Sequence, residues 1–256
     1  MDQSAPDSGA AGPPAEEALL ATVGVGKTFG GFHALRDVSV SVTGREILGI
    51  IGPNGAGKTT LFNLIAGAFR PTSGRIIFKG DDVTRQPPHR RLRKGIARTF
   101  QLIRPFGSMT IYENVVTAAM GSGAPRARAT ARATATVDRL GLGAIAGKRA
   151  SDVNAVEGKR LEVARALATR PEVILLDEIF SGLNADEVSE LAELVTGVRG
   201  EGITVLVIEH NVRAIKAVAD RVIAIDTGRV VSEGSPEHVL SDPHVVESYL
   251  GQRAHA

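Results

Sequence analysis

The sequence contains no cysteine and no tryptophan, and only 4% of its 256 residues are aromatic. The absence of cysteine excludes disulfide bonds and thiolate metal sites, and it permits a cytoplasmic location. The histidines, six in number, show no metal-ligand spacing. Because few aromatic side chains are available to stack on bases, we expect no platform for single-stranded nucleic acid.

Long apolar runs and an excess of one charge are also missing. No uncharged apolar stretch reaches the roughly 18 residues that a membrane helix requires. Lys and Arg number 30 against 28 Asp and Glu, which gives a formal net charge of +2. Non-specific binding to nucleic acid usually needs a clustered basic face, so we expect no nucleic-acid partner.

The N-terminal stretch MDQSAPDSGAAGPPAEE is rich in small residues and proline and has no apolar segment. It lacks the core of a secretory signal, and its composition predicts a disordered tail over residues 1–17. The remaining length is sufficient for one α/β domain with a small subdomain, which we place at residues 18–252.

Short apolar runs without alternation recur along the chain and are typical of strands covered on both faces, as in parallel sheets. Helical patterns at Leu161–Thr169 and Glu187–Arg199 separate the later runs. Strands and helices in alternation predict an α/β sheet. The predicted strands are Ile47–Ile51, Val173–Leu176, Thr204–Ile208 and Arg221–Ile225.

The first third of the chain shows a different pattern. Strand-like pieces with glycine turns occur at Ala21–Val25, Val38–Val42 and Gly74–Phe78. They predict an antiparallel β subdomain beside the parallel core.

Strand signals are missing from about residue 97 to residue 156, where we expect a helical subdomain. Helical patterns occur at Ile111–Ala119 and Ala127–Leu140. Arginines recur within this region, and we interpret them as a solvated helix face in preference to a binding patch. They are Arg126, Arg128, Arg132 and Arg139.

The motif GPNGAGKT satisfies G-x-x-x-x-G-K-[ST] and lies between a predicted strand and the helical pattern Thr60–Ala66. Its glycines allow backbone amides to surround phosphate groups, and the helix N-terminus adds a positive dipole end. We expect Lys58 to reach the β- and γ-phosphates and Thr59 to ligate Mg²⁺. The predicted nucleotide-binding residues here are Gly52, Pro53, Asn54, Gly55, Ala56, Gly57, Lys58, Thr59 and Thr60.

Acidic residues follow the apolar run EVILL, where Asp177 and Glu178 end a predicted strand. At a strand end near a phosphate-binding loop, Asp177 is placed to hold Mg²⁺ and Glu178 to polarise the attacking water. His210 follows the next apolar strand, and ligand sites in α/β sheets lie at the carboxyl ends of strands. We therefore predict Glu178 and His210 as catalytic residues.

Together these motifs resemble the ATP-binding subunits of ABC transporters from about Leu20 to Leu250. The resemblance implies a P-loop NTPase core of the RecA type, with ATP and Mg²⁺ as cofactors. It implies that Phe29 in KTFGG stacks on adenine and that Gln101 in RTFQ senses Mg²⁺ and the transport partner. In SGLN, which matches the loop that crosses the dimer interface, Asn184 replaces the usual aspartate.

Within that family the chain most resembles the ATPases of branched-chain amino acid importers. Such ATPases act at the cytoplasmic face of the membrane with permease subunits and a second ATPase subunit, identical or different, and indirectly with an extracytoplasmic solute-binding protein. Urea or amide importers, lipopolysaccharide exporters and a weakly active regulatory subunit remain alternatives. The stretches that carry the resemblance are FGGFHALRDVSV, RTFQLIRPFGSMTIYENV, LEVARALATRPE, VIEHNV and DPHVVESYLG.

One departure concerns the family signature, LSGGQ, which caps the γ-phosphate of ATP held by the opposite subunit. This chain has VNAVE instead, with Asn154 at the serine position and Val156 at the second glycine position. Asn154 is still suited to be an N-cap and to offer an amide donor to the nucleotide. Two interpretations stay open: a tolerated variant, or a weakened composite site.

Overall fold

The protein is described by a computed structural model that covers residues 14, 17–99 and 105–250. Gln101 and most of the predicted tail lie outside these residues. The strands are β1 Leu20–Phe29, β2 Phe32–Val42, β3 Ile47–Ile51, β4 Ser73–Phe78, β5 Asp81–Asp82, β6 Ile96–Arg98, β7 Val173–Asp177, β8 Thr204–Ile208, β9 Arg221–Asp226 and β10 Arg229–Gly234. The helices are α1 Lys58–Ile65, α2 Pro88–Lys94, α3 Ile111–Gly121, α4 Arg126–Arg139, α5 Ala155–Leu167, α6 Ala185–Gly200, α7 Val212–Val218, α8 Pro236–Ser241 and α9 Pro243–Leu250.

A six-stranded sheet in the order β10-β9-β3-β8-β7-β6 forms the centre of the fold. Its strands are parallel except for β10, which pairs antiparallel with β9. Neighbouring residues of one strand belong to different cores: Ile174 and Leu176 pack with one, Val173 and Leu175 with the other. Both faces are therefore buried, which explains the apolar runs and confirms the four strands predicted for this sheet.

The second sheet is antiparallel, in the order β2-β1-β4-β5, and confirms the predicted β subdomain. Its side chains share a core with α1 and with one face of the central sheet. The helices α3 to α7 pack on the opposite face. The phosphate-binding loop thus lies between the two sheets, at the carboxyl end of β3.

The helices predicted in the middle of the chain are confirmed as α3 and α4. The expected lack of strands from residue 97 is wrong at its start, because Ile96–Arg98 forms β6 and pairs in parallel with β7. Three residues ending in arginine give too short a pattern to be recognised without the partner strand. Within the described ranges, no helix is long and apolar enough to cross a membrane.

A buried arginine fixes the end of α1, the helix that follows the phosphate-binding loop. Arg91 on α2 is fully buried, and its Nη1 donates to the carbonyls of Leu64 at 2.6 Å and Ile65 at 2.7 Å. Its other nitrogens donate to the carbonyls of Gln86 and Thr84. The last carbonyls of a helix lack intrahelical partners, so this guanidinium satisfies them and holds α1 in place.

Candidate functional site

The loop between β3 and α1 has a backbone that only glycine allows. Gly52, Gly55 and Gly57 have φ angles of 145°, 81° and 107°. A Cβ on Gly52 would lie 2.0 Å from the carbonyl oxygen of Ile225, and one on Gly57 would lie 2.5 Å from that of Ala34. Backbone packing therefore requires glycine at both positions.

The positive charge of this loop is concentrated at the start of α1. The ammonium of Lys58 donates to the carbonyls of Gly52 at 2.6 Å and Pro53 at 2.8 Å. Burial lowers the pKa of Lys58, while the nearby carboxylates of Glu178 and Asp177 act in the opposite direction. The N-cap, Gly57, has no side chain to accept from the first-turn amides, so these remain available to an anion.

A cavity of about 370 Å³ opens above the loop and brings most of the predicted site residues together. Among the predicted site residues, Gly52, Pro53, Asp177, His210 and Asn154 do not line it. The lining residues are Phe29, Phe32, Ala34, Asn54, Gly55, Ala56, Gly57, Lys58, Thr59, Thr60 and Glu178.

Two aromatic side chains form the wall opposite the loop. Phe29 and Phe32 are directly paired across the β1–β2 hairpin and are 41% and 67% exposed. Phe69 packs edge-on against Phe29 with ring centroids 5.5 Å apart. Phe32 was not predicted, although the spacing F-G-G-F, a two-residue turn, places both rings at the hairpin end. Exposed rings beside an anion-binding loop are suited to stack on a planar heterocycle.

Asp177 is the last residue of β7 and is fully buried. It is held by Arg98, the last residue of β6, and by Thr99, the residue that follows. Arg98 Nη2 donates to Asp177 Oδ2 at 2.8 Å, and Thr99 Oγ1 accepts from the Asp177 amide at 3.1 Å. Arg98 Nη1 donates to Asn63 Oδ1 on α1 at 2.6 Å. Burial raises the pKa of Asp177, and the hydrogen bond from Arg98 opposes that rise. Arg98 therefore joins β6, β7 and α1.

The donor set near Asp177 is suited to Mg²⁺. Asp177 Oδ1 is buried and has no hydrogen-bond partner among the described residues. In the described part of the chain no three His, Cys, Asp or Glu side chains converge on a metal position. Mg²⁺ commonly uses one or two carboxylates together with waters and substrate phosphates, so a carboxylate oxygen with Thr59 nearby is sufficient.

Glu178 occupies a strained backbone position at the cavity wall. Its φ angle is 50°, a left-handed conformation that is uncommon for residues other than glycine. Its amide donates to the carbonyl of Ile208 at 3.0 Å, and its carbonyl accepts from Lys159 Nζ at 3.0 Å. Lys159 lies on α5, and sequence reasoning did not identify it. These bonds fix the turn that presents the carboxylate.

At the end of β8, two neighbouring residues differ in their exposure to solvent. His210 is exposed, whereas Glu209 is fully buried, and its Oε1 accepts from the Phe180 amide at 2.8 Å. Burial raises the pKa of Glu209 to about 7, opposed by the amides of Phe180, His210 and Asn211. Glu209 thus connects the turn after Glu178 to the segment that carries His210, a contact that the sequence did not predict.

The altered signature begins α5. Asn154 is the N-cap: its Oδ1 accepts from the Glu157 amide, and Glu157 Oε2 accepts from the Asn154 amide, both at 2.9 Å. Lys148 Nζ also donates to Glu157 at 2.6 Å. The predicted N-cap role of Asn154 is confirmed. Asn184 forms the same capping box with Glu187 at the start of α6.

Comparison with known proteins agrees with this geometry. Residues 35–181 match the family model described as ABC transporter. The chain is 36% identical to the high-affinity branched-chain amino acid transport ATP-binding protein LivG of Salmonella typhimurium, over 91% of this chain and 98% of that protein. The chain belongs to the ABC transporter ATP-binding family. This ABC ATPase therefore hydrolyses ATP, as that family does.

Further matches of the ABC ATPase are to proteins of two transport types. Residues 229–255 match a model described as branched-chain amino acid ATP-binding cassette transporter. The lipopolysaccharide export ATP-binding protein LptB of Haemophilus influenzae is 34% identical over 92% of this chain and 98% of that protein.

Solved ABC cassettes share the fold. A nucleotide-free ATP-binding cassette from an ABC transporter superposes with a TM-score of 0.84 at 31% identity, covering 90% of this chain and 98% of that one. A structure of the ADP conformation of an ATP-binding cassette of an ABC transporter also gives 0.84, at 32% identity over 91% and 98% of the two chains. The predicted P-loop NTPase fold with its ABC-type elaborations is thereby confirmed.

Removing Arg98 should leave an uncompensated buried charge. At neutral pH we expect Arg98→Ala to lower the free energy of unfolding by about 3–5 kcal/mol, measured by urea denaturation. Asp177→Asn in the same background should restore part of the loss, because it removes the isolated carboxylate. Strictly additive effects of the two substitutions would show that the ion pair has no such role.

The buried carboxyl of Glu209 predicts a pH dependence of stability. Because its pKa is raised, the folded ABC ATPase keeps a proton that the unfolded chain releases above a pH of 4.5, so stability falls as pH rises towards about 7. Relative to wild type, Glu209→Gln should gain up to about 3 kcal/mol between about pH 5 and about pH 8 in urea denaturation. The control is Glu193→Gln at an exposed position, which should show no such gain. If the difference in unfolding free energy from wild type is independent of pH for both variants, the raised pKa of Glu209 is contradicted.

Proposed function

We propose that this ABC ATPase binds Mg–ATP in the cavity above the phosphate-binding loop and powers an importer of branched-chain or related amino acids. The observation that carries the nucleotide site is the convergence of Lys58, the uncapped start of α1, the Phe29–Phe32 wall and Glu178 on one cavity. The names of the curated relatives and the match of the C-terminal residues support the class of cargo.

Each residue of the proposed site has a task that its position supports. Lys58 and the amides at the start of α1 neutralise the phosphates, and the two rings contact the adenine. Thr59 and Asp177 would hold Mg²⁺, which when bound would neutralise charge on the phosphates. Glu178 orients the attacking water from its fixed turn.

Two further residues belong to the proposed site without being among the described residues that line the cavity. Exposed at the end of β8, His210 contacts the γ-phosphate or the water once the site closes. Gln101 retains the role that the family resemblance implies, in sensing Mg²⁺ and the transport partner, and lies outside the described residues.

A second ATPase subunit, the same or a different chain, completes the site in this proposal. Asn154 lies at the start of α5, away from its own chain's cavity, as expected for a residue that acts on ATP held by the opposite subunit. Its Oδ1 is used in the cap, which leaves the Nδ2 amide to face that nucleotide. Head-to-tail closure of two subunits would then enclose two nucleotides.

The proposed permease contact is a cleft of about 280 Å³ between β6, α3 and α5. Phe106 is 49% exposed there, with the Arg165 guanidinium 5.7 Å from its ring centre. A half-exposed aromatic beside a cation is suited to receive a short helix of a membrane subunit. We place the ATPase peripherally, at the cytoplasmic face of the membrane, with the solute-binding protein as an indirect partner.

Lipopolysaccharide export is the second candidate, because LptB of Haemophilus influenzae matches over nearly the same length. The branched-chain model at residues 229–255 favours import. Uptake of labelled leucine or urea by cells with and without the gene distinguishes the two directions.

Two substitutions should separate nucleotide binding from hydrolysis. Lys58→Ala should abolish binding of a fluorescent ATP analogue, because the charge that faces the phosphates is lost. Glu178→Gln should keep binding but lower phosphate release at least about a hundredfold and trap an ATP-bound dimer in size-exclusion chromatography. Lys79→Ala, an exposed lysine paired with Glu172, is the control. Unchanged turnover in Glu178→Gln would refute its proposed role.

The altered signature can be tested by restoring the family residues. Asn154→Ser with Val156→Gly should raise ATP turnover of the assembled transporter severalfold if VNAVE weakens the composite site. Asn154→Ser alone tests the effect of the cap residue, and Val156→Gly alone tests the effect of the valine side chain. No gain in phosphate release with membrane subunits present would identify VNAVE as a tolerated variant.

A further inference from the structure

A second concave site, distinct from the nucleotide cavity, lies between the end of α2, the turn from α3 to α4, and the residues after α5. It encloses about 260 Å³ and is lined mainly by polar groups. Five of the lining side chains are cationic and one is acidic. The cations are Arg93, Lys94, Arg128, Arg132 and Arg170.

The charges in this basic pocket are not balanced within the described structure. Its acidic residue, Glu172, pairs with Lys79 at 2.9 Å, and Lys94 pairs with Asp81 at 2.6 Å, both partners outside the pocket. None of the four arginines forms an ion pair with a described carboxylate. The pocket therefore concentrates positive charge in a protein whose total charge is nearly neutral.

The arginines are close enough to repel one another. Burial lowers the pKa of Arg132, and the charges of Arg170 and Arg128 lower it further. Arg128 and Arg132 are four residues apart on α4, a spacing at which like charges destabilise a helix. Arg170 has a φ angle of 56°, which is uncommon for a side-chain-bearing residue. A bound anion would relieve this repulsion.

The four arginines of α4 differ in whether they line the basic pocket. Arg139 pairs with Glu201 at 2.7 Å, and neither Arg139 nor Arg126 lines the pocket, although Arg126 is exposed as Arg128 is. Arg132 Nη1 instead contacts Ser122 Oγ at 3.4 Å across the pocket. The helix face predicted to be solvated therefore includes two arginines, Arg128 and Arg132, that line a concavity.

We propose that the basic pocket binds a phosphate group, supplied either by a phospholipid headgroup or by a soluble phosphate compound. Guanidinium groups present paired N–H donors that match phosphate oxygens, and several of them around one concavity select a doubly charged anion over chloride. The pocket shares Leu92 and Thr169 with the cleft assigned above to the permease. That proximity to a membrane subunit rests on the proposed function and favours the headgroup; the phosphate chemistry does not depend on it.

The test uses the full chain with its nucleotide cavity saturated with a non-hydrolysable Mg–ATP analogue, which fills the γ-phosphate position, so that added phosphate reports on the second site. Calorimetric titration with inorganic phosphate and with pyrophosphate is compared with flotation on phosphatidylcholine vesicles with and without phosphatidylglycerol. Arg128→Glu removes a pocket cation. Arg126→Glu makes the same charge change at the first residue of α4, outside the pocket. Both variants should retain ATPase activity.

We expect Arg128→Glu to weaken binding about tenfold, since one charge-assisted contact is lost, while Arg126→Glu leaves binding within about twofold of wild type. An effect confined to phosphatidylglycerol vesicles identifies a headgroup site, and an effect on free phosphate or pyrophosphate identifies a soluble ligand. If neither probe binds the wild type, or if both variants weaken binding equally, the proposal is overturned.

Discussion

The arrangement of the nucleotide site depends on one buried ion pair, between Arg98 and Asp177. A carboxylate at the end of a fully buried strand is costly unless it is paired, and Asp177 lies at such a position in β7. The guanidinium that pairs with it also holds Asn63 on α1, so one side chain sets the distance between the acid and the phosphate-binding helix. The other carboxylate oxygen is buried without a hydrogen-bond partner among the described residues, so a cation can satisfy it.

Near this pair the backbone takes up conformations that residues with a side chain rarely adopt. Gly52 cannot carry a side chain because the Ile225 carbonyl lies against it, and Glu178 adopts a left-handed conformation. Such conformations persist only where neighbours over-determine them. Here the neighbours are the carbonyl of Ile208 and the ammonium of Lys159. Because Lys159 lies on α5, the helix that Asn154 caps, a shift of α5 would act on the backbone of Glu178 in its own chain through the same contact.

The local parts of this arrangement could be predicted from the sequence, and the contacts between distant segments could not. The loop from Gly52 to Thr59 and the doubly buried strands carry their pattern in consecutive residues. Arg98 and Asp177 are separated by 79 positions, and no periodicity relates them. Nothing in the sequence distinguishes Glu209 from an exposed glutamate, since burial of a carboxyl is decided by packing. β6 was missed because three residues gain strand character only from pairing with β7.

The two asparagines that replace family residues show how folding and function impose separate demands on one position. Asn154 and Asn184 each begin a helix and each form a capping box with a glutamate three residues on. Serine, aspartate and asparagine cap about equally well, so the fold tolerates all three. What differs is the group left to face a partner: asparagine offers an amide where serine offers a hydroxyl and aspartate a charge. These exchanges therefore leave the folded subunit intact, and the group that they change is the one offered to the proposed second ATPase subunit.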